Sequence, residues 1–431
     1  MTRRRLLPGL VVAALACGLA AAGVPAAAQS GVKAGTSPVR TSPGSAPVSA
    51  TGAGLFAVEQ YRPAVLRLAF SPAKGRTVNP EADAFLDMTL IPPEGQLLGF
   101  RTEVSSKQFS QLLRRLYAQL ASQELLKVED PASPARQLDA MLMQPAAEQL
   151  RRLRISTLLI SAETGLQAVP FAALHDGQTF FGERYGFSLT PSLGLTRLGI
   201  QTQPGGSRLL AAGASQFEGL NPLPLVPQEL EQITRGKQVG SYLNRDFTPE
   251  LLIEKAADPA FNRVHVATHA EFVPGGPAAA RLYTGVAPMS LRQLAQMRQR
   301  RGDAQLDLFT LSACRTALGD ADSELGFAGL ALQAGSRSAI GSLWYVDDVA
   351  TSALFVQFYR LLDQGMPKAE ALQFTRRAMA TGAMKLVKDQ VIGATGEVVL
   401  SGLTTAQQRR IAGGLQHPFY WAGIQLLGTP W

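Results

Sequence analysis

Two residues of the chain have side chains that together could perform nucleophilic catalysis. Cys314 follows the largely apolar run 308–311, and His269, which lies 45 residues upstream, follows the apolar run 264–267. A thiolate is a strong nucleophile, and a neighbouring imidazole can generate it by accepting the thiol proton. The pair therefore predicts a cysteine hydrolase in which His269 is the base and Cys314 is the nucleophile.

Acyl transfer also requires backbone N–H groups that bind the oxyanion. The N–H of Cys314 and the N–H of Ala270, the residue after the histidine, are the predicted donors. The alternative is that Cys314 is a small buried hydrophobic residue and His269 a loop histidine. The spacing of the two residues alone leaves both interpretations open.

The first 28 residues have the plan of an export signal. Three arginines at positions 3–5 precede an uncharged apolar run, and small residues follow where a cleavage site requires them. We predict cleavage after Ala28, by a general secretory or a twin-arginine route, and therefore a periplasmic or extracellular protein of bacterial type. Lipidation of Cys17 and an uncleaved membrane anchor are the less favoured alternatives. Cys17 and Cys314 are the only two cysteines of the sequence, so cleavage would leave Cys314 as the single thiol.

The charge of the chain does not indicate a nucleic-acid ligand. The formal net charge falls from +8 to +5 when the three signal arginines are removed, which is ordinary for this length. Basic residues cluster at 151–154 and 298–301 without interleaved aromatic residues, so we interpret both clusters as solvated helix ends. No segment after the signal is long and apolar enough to cross a membrane.

The remaining chain divides by composition into three parts. Residues 29–54, rich in Gly, Ser, Pro and Ala, predict a disordered linker. Residues 55–150 predict a small α+β segment, packed on the catalytic domain that follows it, with strands at 65–70 and 85–91 and two helices. The first helix has apolar residues from 109 to 120 and a capping box formed by Ser105 and Gln108. The second covers 135–153 and is interrupted by Pro145.

From residue 151 to 431 short apolar runs alternate with helical segments. Predicted strands cover 155–161, 209–213, 264–267, 306–312, 338–343 and 420–427, and predicted helices begin at Thr248-Pro249 or cover 325–334 and 349–362. Apolar strands separated by helices indicate an α/β fold with a mostly parallel sheet covered on both faces. Functional residues gather at the carboxyl ends of such strands, where His269 and Cys314 are expected.

The sequence resembles the CHAT-domain family of caspase-like cysteine peptidases over roughly residues 100–431. The residues that carry the resemblance are the run around His269 and the segments Leu-Ser-Ala-Cys-Arg-Thr at 311–316, Gly-Phe-Ala-Gly-Leu-Ala-Leu-Gln-Ala-Gly at 326–335, Ser-Leu-Trp-Tyr-Val-Asp-Asp at 342–348, Lys-Ala-Glu-Ala-Leu at 368–372, His-Pro-Phe-Tyr-Trp-Ala-Gly at 417–423, Val-Pro-Phe-Ala-Ala-Leu-His-Asp-Gly at 169–177 and Pro-Ser-Leu at 191–193. Residues Ser312 and Thr316 differ from the flanking Gln and Gly of animal caspases.

The resemblance implies a three-layer α/β/α sandwich in which 151–431 is the peptidase domain. It also implies a His269/Cys314 dyad, a main-chain oxyanion hole at Ala270 and Cys314, a thioester acyl-enzyme, and no cofactor. The expected partners are a protein or peptide substrate and an activating partner. The alternative from a different class is a non-catalytic module that keeps the fold and binds a protein through the same cleft.

Three further residues are candidates for a substrate pocket: Asp307, Trp344 and Asp347. An acidic pocket group would select Arg or Lys before the cut. The alternatives are that Trp344 belongs to the core and that Asp347 or Asp348 caps the helix beginning near residue 349, with Asp348 favoured as the cap.

A metal site is not expected. His265 and His269 are four residues apart, as in helical zinc-binding pairs, but the alternation of residues 264–266 indicates a strand, and no third ligand cluster is apparent.

Overall fold

The computed structural model describes residues 62–75, 77–163, 165–190, 193, 196, 208–237, 239–271, 280–294, 296–302, 304–313, 332, 335–345 and 347–431. The predicted signal, the linker, Cys314 and most of the predicted helix at 325–334 lie outside these residues. Within the described residues, no helix combines the length and the hydropathy that a membrane span requires.

One sheet of eleven strands organises the described part of the chain. Its strands, in spatial order, are β3 (Leu98–Val104), β2 (Ala84–Ile91), β1 (Pro63–Pro72), β4 (Thr157–Ala162), β5 (Gly186–Thr190), β17 (Ile424–Gly428), β13 (Ser338–Ser342), β12 (Leu308–Ser312), β8 (Arg263–Ala267), β6 (Leu209–Gly213) and β7 (Val239–Leu243). Every residue of β4, β5, β6, β13 and β17 is buried, which is why these strands are apolar on both faces.

In the part of the chain that the structure describes, two small sheets accompany the large one. The first contains β9 (Ala270–Glu271), β10 (Arg281–Tyr283) and β11 (Pro288–Ser290), and the second contains β14 (Lys385–Val387), β15 (Gln390–Ile392) and β16 (Val398–Leu400). The first strand of the first small sheet, β9, begins at the residue after His269, so this small sheet adjoins that histidine.

The helices of the described residues are α1 (Ser106–Ala121), α2 (Pro134–Leu142), α3 (Gln144–Arg152), α4 (Phe181–Arg184), α5 (Val226–Thr234), α6 (Pro249–Ala257), α7 (Leu291–Leu294), α8 (Gln296–Arg301), α9 (Asp348–Asp363), α10 (Lys368–Ala380) and α11 (Thr405–Arg410). Their starts follow the expected local chemistry. The Ser105 hydroxyl accepts from the Gln108 N–H at 3.3 Å, and the Thr248 hydroxyl accepts from the Leu251 N–H at 3.2 Å. Pro145 lies in the first turn of α3 and separates it from α2.

The α/β prediction is confirmed, since most neighbouring strands of the large sheet run parallel and helices flank it. The pairs β6/β8, β8/β12 and β12/β13 are parallel, whereas β17 runs antiparallel to β13. The final strand begins at Ile424 and not at 420, because Pro418–Tyr420 forms a turn of 3₁₀ helix.

The N-terminal strands extend the same sheet, an arrangement that was not predicted from the sequence. β1 pairs in parallel with β4, with Leu66 opposite Ile160, and β2 and β3 continue the sheet in antiparallel pairs. Helix α1 also contacts the rest of the molecule, because the Tyr117 hydroxyl donates to the carbonyl O of Ala168 at 2.6 Å. The segment 62–150 is therefore integrated with the strands that follow it.

Candidate active site

His269 lies two residues beyond the carboxyl end of β8. The next strand of the sheet, β12, is parallel to β8, and their last residues Ala267 and Ser312 are paired. The Thr268 N–H donates to the Ser312 carbonyl at 3.2 Å, so the two strands stay paired to their ends. The structure therefore places His269 beyond the carboxyl end of an interior strand, where the functional residues of such a sheet were expected.

The imidazole of His269 is oriented by the loop between β6 and α5. Its Nε2 lies 2.7 Å from the carbonyl O of Asn221. A carbonyl can only accept a hydrogen bond, so Nε2 carries a proton, and in the neutral imidazole Nδ1 then keeps the lone pair. The ring of Phe217 packs on the imidazole with 4.7 Å between ring centroids. Among the described residues, none bonds to Nδ1, so this nitrogen is the one that can accept a proton.

The backbone around His269 is held by β10. The Tyr283 N–H donates to the His269 carbonyl at 3.0 Å, and the Thr268 hydroxyl donates to the Tyr283 carbonyl. Ala270, which is buried, lies opposite Leu282 of β10. The role of the Ala270 N–H in an oxyanion hole stays a prediction.

The segment that leads to Cys314 is described as far as Ala313. Ala313 is buried, and its carbonyl accepts a hydrogen bond of 2.7 Å from the Ser342 hydroxyl at the end of β13. Cys314 itself lies outside the described residues, so the dyad and the Cys314 part of the oxyanion hole stay predictions. What the structure describes is the anchoring of the peptide immediately before the cysteine.

The prediction of Asp307 as a pocket residue is wrong, because the residue lies at the opposite end of the strand. Asp307 directly precedes β12, at its amino end, whereas Ser312 ends the strand. Its carboxylate bonds to Lys368 Nζ at 2.7 Å and to Arg263 Nε at 3.2 Å. Burial opposes ionisation, but the two cations outweigh it, so the pKa of Asp307 lies below its usual value. The Asp307 carboxylate is therefore paired with two cations at the amino end of β12.

Asp347 caps α9 and does not present a free carboxylate. Its Oδ1 accepts from the N–H groups of Val349 at 3.0 Å and Ala350 at 3.1 Å, and its Oδ2 lies 3.2 Å from Arg410 Nε. Arg410 also pairs with Asp348. The expectation that Asp348 is the cap is wrong, because Asp347 holds the cap position. The pocket role of Asp347 is corrected, because its carboxylate is engaged by the helix N-terminus and by Arg410.

Trp344 belongs to the core, which corrects its pocket role. Its side chain is 8% exposed, its indole N–H donates to the Phe419 carbonyl at 3.0 Å, and its ring meets Tyr117 edge-on at 5.9 Å. A Cβ at Gly423 would lie 2.6 Å from the indole, so glycine is needed there for close packing. Trp344 thus joins α1 of the N-terminal segment to the carboxyl end of β13.

His265 forms a separate buried cluster beneath the candidate site. Its Nε2 lies 2.8 Å from Glu229 Oε1, and Glu229 Oε2 accepts from the Ser352 hydroxyl at 2.6 Å. His265 therefore does not converge with His269. The described residues contain no group of three or more His, Cys, Asp or Glu side chains that could hold a metal ion.

The chain matches the CHAT-domain family over residues 132–429. This match covers well over half of the chain. The chain belongs to the CHAT-domain family. No curated protein is similar enough to this chain to be matched.

Solved structures with similar architecture include two peptidases. A chain of the Saccharomyces cerevisiae separase–securin complex matches with a TM-score of 0.46 and 10% identity, covering 86% of this chain and 30% of that chain. The Arg-specific cysteine proteinase gingipain R (RgpB) matches with a TM-score of 0.38 and 11% identity, covering 75% of each chain. A chain of the complex of Porphyromonas gingivalis RgpB pro- and mature domains matches with a TM-score of 0.36 and 11% identity, covering 75% of this chain and 77% of that chain. This chain thus spans about a third of the separase chain that it matches.

The CHAT match begins at residue 132, so β1–β3 and α1 precede it. Within it, the two residues that orient His269, Asn221 and Phe217, were not predicted from the sequence. Asn221 contributes only its backbone carbonyl, which any residue type could supply, and therefore gave no signal. Phe217 stands in a loop, where an isolated aromatic residue indicates nothing without its contact.

Proposed function

We propose that this CHAT-family protein is an exported cysteine endopeptidase in which His269 and Cys314 form the catalytic dyad. The observation that carries the proposal is the register of β8 and β12, in which Ala267 is paired with Ser312. Parallel neighbours lie about 4.8 Å apart, and His269 and Cys314 each follow the paired residues by two positions. By their positions in the sequence, both residues follow the carboxyl ends of adjacent parallel strands, which supports the proposed pairing.

The state of His269 supports its role as the base. Because Nε2 is engaged by the Asn221 carbonyl, Nδ1 takes the proton from the Cys314 thiol. The thiolate then attacks the carbonyl carbon of the scissile peptide, whose oxygen becomes the oxyanion. When the C–N bond breaks, the proton passes from His269 to the leaving amine, and a thioester remains on Cys314.

Water completes the reaction. His269 removes a proton from the water molecule, whose oxygen attacks the thioester carbonyl. The C–S bond breaks, the acid product leaves, and the thiol is restored with the proton held by His269. The N–H groups of Ala270 and Cys314 are the proposed donors to both oxyanions.

A basic residue before the cut is the substrate preference we propose. Asp307 and Asp347 no longer support it, because both carboxylates are compensated. Two other exposed carboxylates belong to segments next to His269. Glu218 follows Phe217, whose ring packs on the imidazole, and Glu271, two residues after His269, accepts from the Tyr283 hydroxyl at 2.8 Å. These groups would favour a cationic side chain near the dyad.

Export is the second part of the proposal and rests on residues 1–28 alone. Cell fractionation of the full chain, compared with a variant whose three arginines at 3–5 are replaced by glutamine, would test it. The processed protein should appear outside the cytoplasm only for the unmodified chain. Equal retention of both proteins in the cytoplasm would contradict export without affecting the dyad.

The peptidase is tested by cleavage of a diverse peptide library under reducing conditions. We expect the purified protein to cleave and Cys314→Ala to be inactive, whereas Cys17→Ala, which removes the other cysteine, should behave like the unmodified protein. Sequencing of the products identifies the residue before the cut. Folded protein that does not cleave, with a thiol that titrates like free cysteine, would contradict the proposal and favour the non-catalytic binding module.

A further inference from the structure

We propose that Asn244 is a positioning residue for His269, which lies 25 residues further along the chain. The inference rests on the proposed function, because it assigns Asn244 to the machinery of the same base. Asn244 does not touch His269. It acts through Ser215 and the loop that presents Phe217 and Asn221 to the imidazole.

The side chain of Asn244 fixes the start of this loop. Asn244 follows β7, and its Oδ1 accepts two hydrogen bonds from Ser215, one of 2.8 Å from the backbone N–H and one of 3.1 Å from the hydroxyl. Since a backbone N–H can only donate, the oxygen of the amide must face Ser215. Ser215 is buried, so the loss of this acceptor would leave an unpaired N–H away from water.

The loop is closed by a second set of backbone bonds. The Leu223 N–H donates to the Ser215 carbonyl at 3.0 Å, and the Ala214 N–H donates to the Ala267 carbonyl at the end of β8, also at 3.0 Å. Ser215 is thus the residue at which the loop both begins and closes. A displacement of Ser215 moves the intervening segment, including the Asn221 carbonyl that holds His269 Nε2.

The backbone of Asn244 is itself held against the chain that supports His269 from the other side. Asn244 has a positive φ of 52°, a left-handed conformation that asparagine tolerates better than most residues. A Cβ at Gly285 would lie 1.7 Å from the Asn244 carbonyl O, so this approach requires glycine. Gly285 belongs to the turn after β10, and β10 donates to the His269 carbonyl through the Tyr283 N–H.

These contacts explain why the residue at position 244 needs two properties at once. It must adopt a left-handed conformation and it must supply an acceptor oxygen to Ser215. Asparagine and aspartate have both properties, whereas alanine lacks the acceptor and is less favourable at positive φ. Asn244→Ala should therefore loosen the loop, and Asn244→Asp should retain it.

The experiment compares the tautomer of His269 in the full chain and in these two variants. The chain has only four histidines, so the ¹⁵N spectrum of histidine-labelled protein can be assigned with a His269→Ala variant. We expect the unmodified protein and Asn244→Asp to hold His269 with Nε2 protonated. In Asn244→Ala the two tautomers should mix, because the Asn221 carbonyl no longer occupies a fixed position.

Kinetics give the second readout. The kcat of Asn244→Ala should fall by about tenfold or more with KM unchanged, as expected for a misplaced catalytic group. Asn262→Ala is the matched control, because the Asn262 side chain also accepts a backbone N–H, that of Arg208 at 2.9 Å, but lies at the amino end of β8. This control should lose stability without a change in the His269 tautomer.

The outcomes separate the two proposals. An unchanged His269 tautomer and an unchanged kcat in folded Asn244→Ala would overturn the positioning role. The same mixing of tautomers in Asn262→Ala would also overturn it, because the effect would then be general destabilisation. If the unmodified protein cleaves nothing and its thiol titrates like free cysteine, the peptidase proposal fails, while the tautomer comparison still decides whether Asn244 positions His269.

Discussion

The Ser342 hydroxyl donates a hydrogen bond of 2.7 Å to the carbonyl O of Ala313, the residue immediately before Cys314. Ser342 ends β13 and Ala313 follows β12, so this bond joins the carboxyl ends of two adjacent strands. Both residues are buried, and the bond therefore restrains the peptide from which the proposed nucleophile emerges. The same bond makes Ser342 a sensitive place to disturb the site without touching the dyad.

We predict that Ser342→Ala reduces both stability and kcat. Removal of the hydroxyl deletes one buried hydrogen bond to the Ala313 carbonyl, at a cost of about 0.5–1.5 kcal/mol. Ser188→Ala is the control, because its buried hydroxyl donates to the Gly428 carbonyl at 2.7 Å from β5, which lies three strands away from β12 in the sheet order. Chemical denaturation should show similar losses for both variants, whereas peptidase assays should show a loss of kcat for Ser342→Ala alone. Equal kinetics would contradict the restraint.

We predict that Glu370 makes the protein less stable as the pH rises through neutrality. Burial raises the pKa of Glu370 to about 7, against the opposing hydrogen bond from Thr157. The folded state therefore binds this proton more tightly than the unfolded state. Its stabilising effect is complete below the unfolded pKa of 4.5 and is lost between that value and about 7.

The Glu370→Gln variant isolates this contribution. It should remove that part of the pH dependence and exceed the stability of the unmodified protein at pH 8, by an amount on the order of 3 kcal/mol. Glu148→Gln, which changes an exposed glutamate, should leave the pH profile unaltered. Urea denaturation at a series of pH values measures all three proteins. Parallel profiles for Glu370→Gln and the unmodified protein would show that Glu370 is ionised normally.

We predict that Glu229 is among the most sensitive polar positions of the fold. Its carboxylate joins His265 of β8 to Ser352 of α9, and both oxygens are used. Glu229→Ala should reduce the free energy of unfolding by about 3–5 kcal/mol, because two buried partners lose their bonds. On the same helix, Glu231 pairs with Arg235 at the surface. Glu231→Ala should change stability by less than about 0.5 kcal/mol, and a comparable loss would show that helix α5 itself is fragile.

We predict that Asp347 acts on stability and not on substrate choice. Asp347→Asn keeps a side-chain oxygen for the Val349 and Ala350 N–H groups, whereas Asp347→Ala loses the cap, which costs about 1 kcal/mol. Thermal denaturation should therefore rank alanine below asparagine. The residue preferred before the cut should be the same in both variants and in the unmodified protein. A lost preference for Arg or Lys in Asp347→Asn would return Asp347 to the pocket.

Much of the fold was predictable because its signals are local. The strand at 209–213 was predicted with its observed bounds, and the caps at Ser105 and Thr248 and the break at Pro145 follow from neighbouring residues. Alternation of apolar runs with helices also sufficed for the parallel sheet. The family was recognisable because its motifs are continuous in sequence.

The tertiary structure decided which charges are free and what holds His269. Asp307 and Asp347 have the residue type that a pocket needs, but only the fold shows that Lys368, Arg263 and Arg410 neutralise them. The sequence by itself determined the residue types, the strands and the helix ends, since these depend on neighbours along the chain. The partners of His269 come from a loop 48 residues away, and that contact depends on long-range packing that no local pattern encodes.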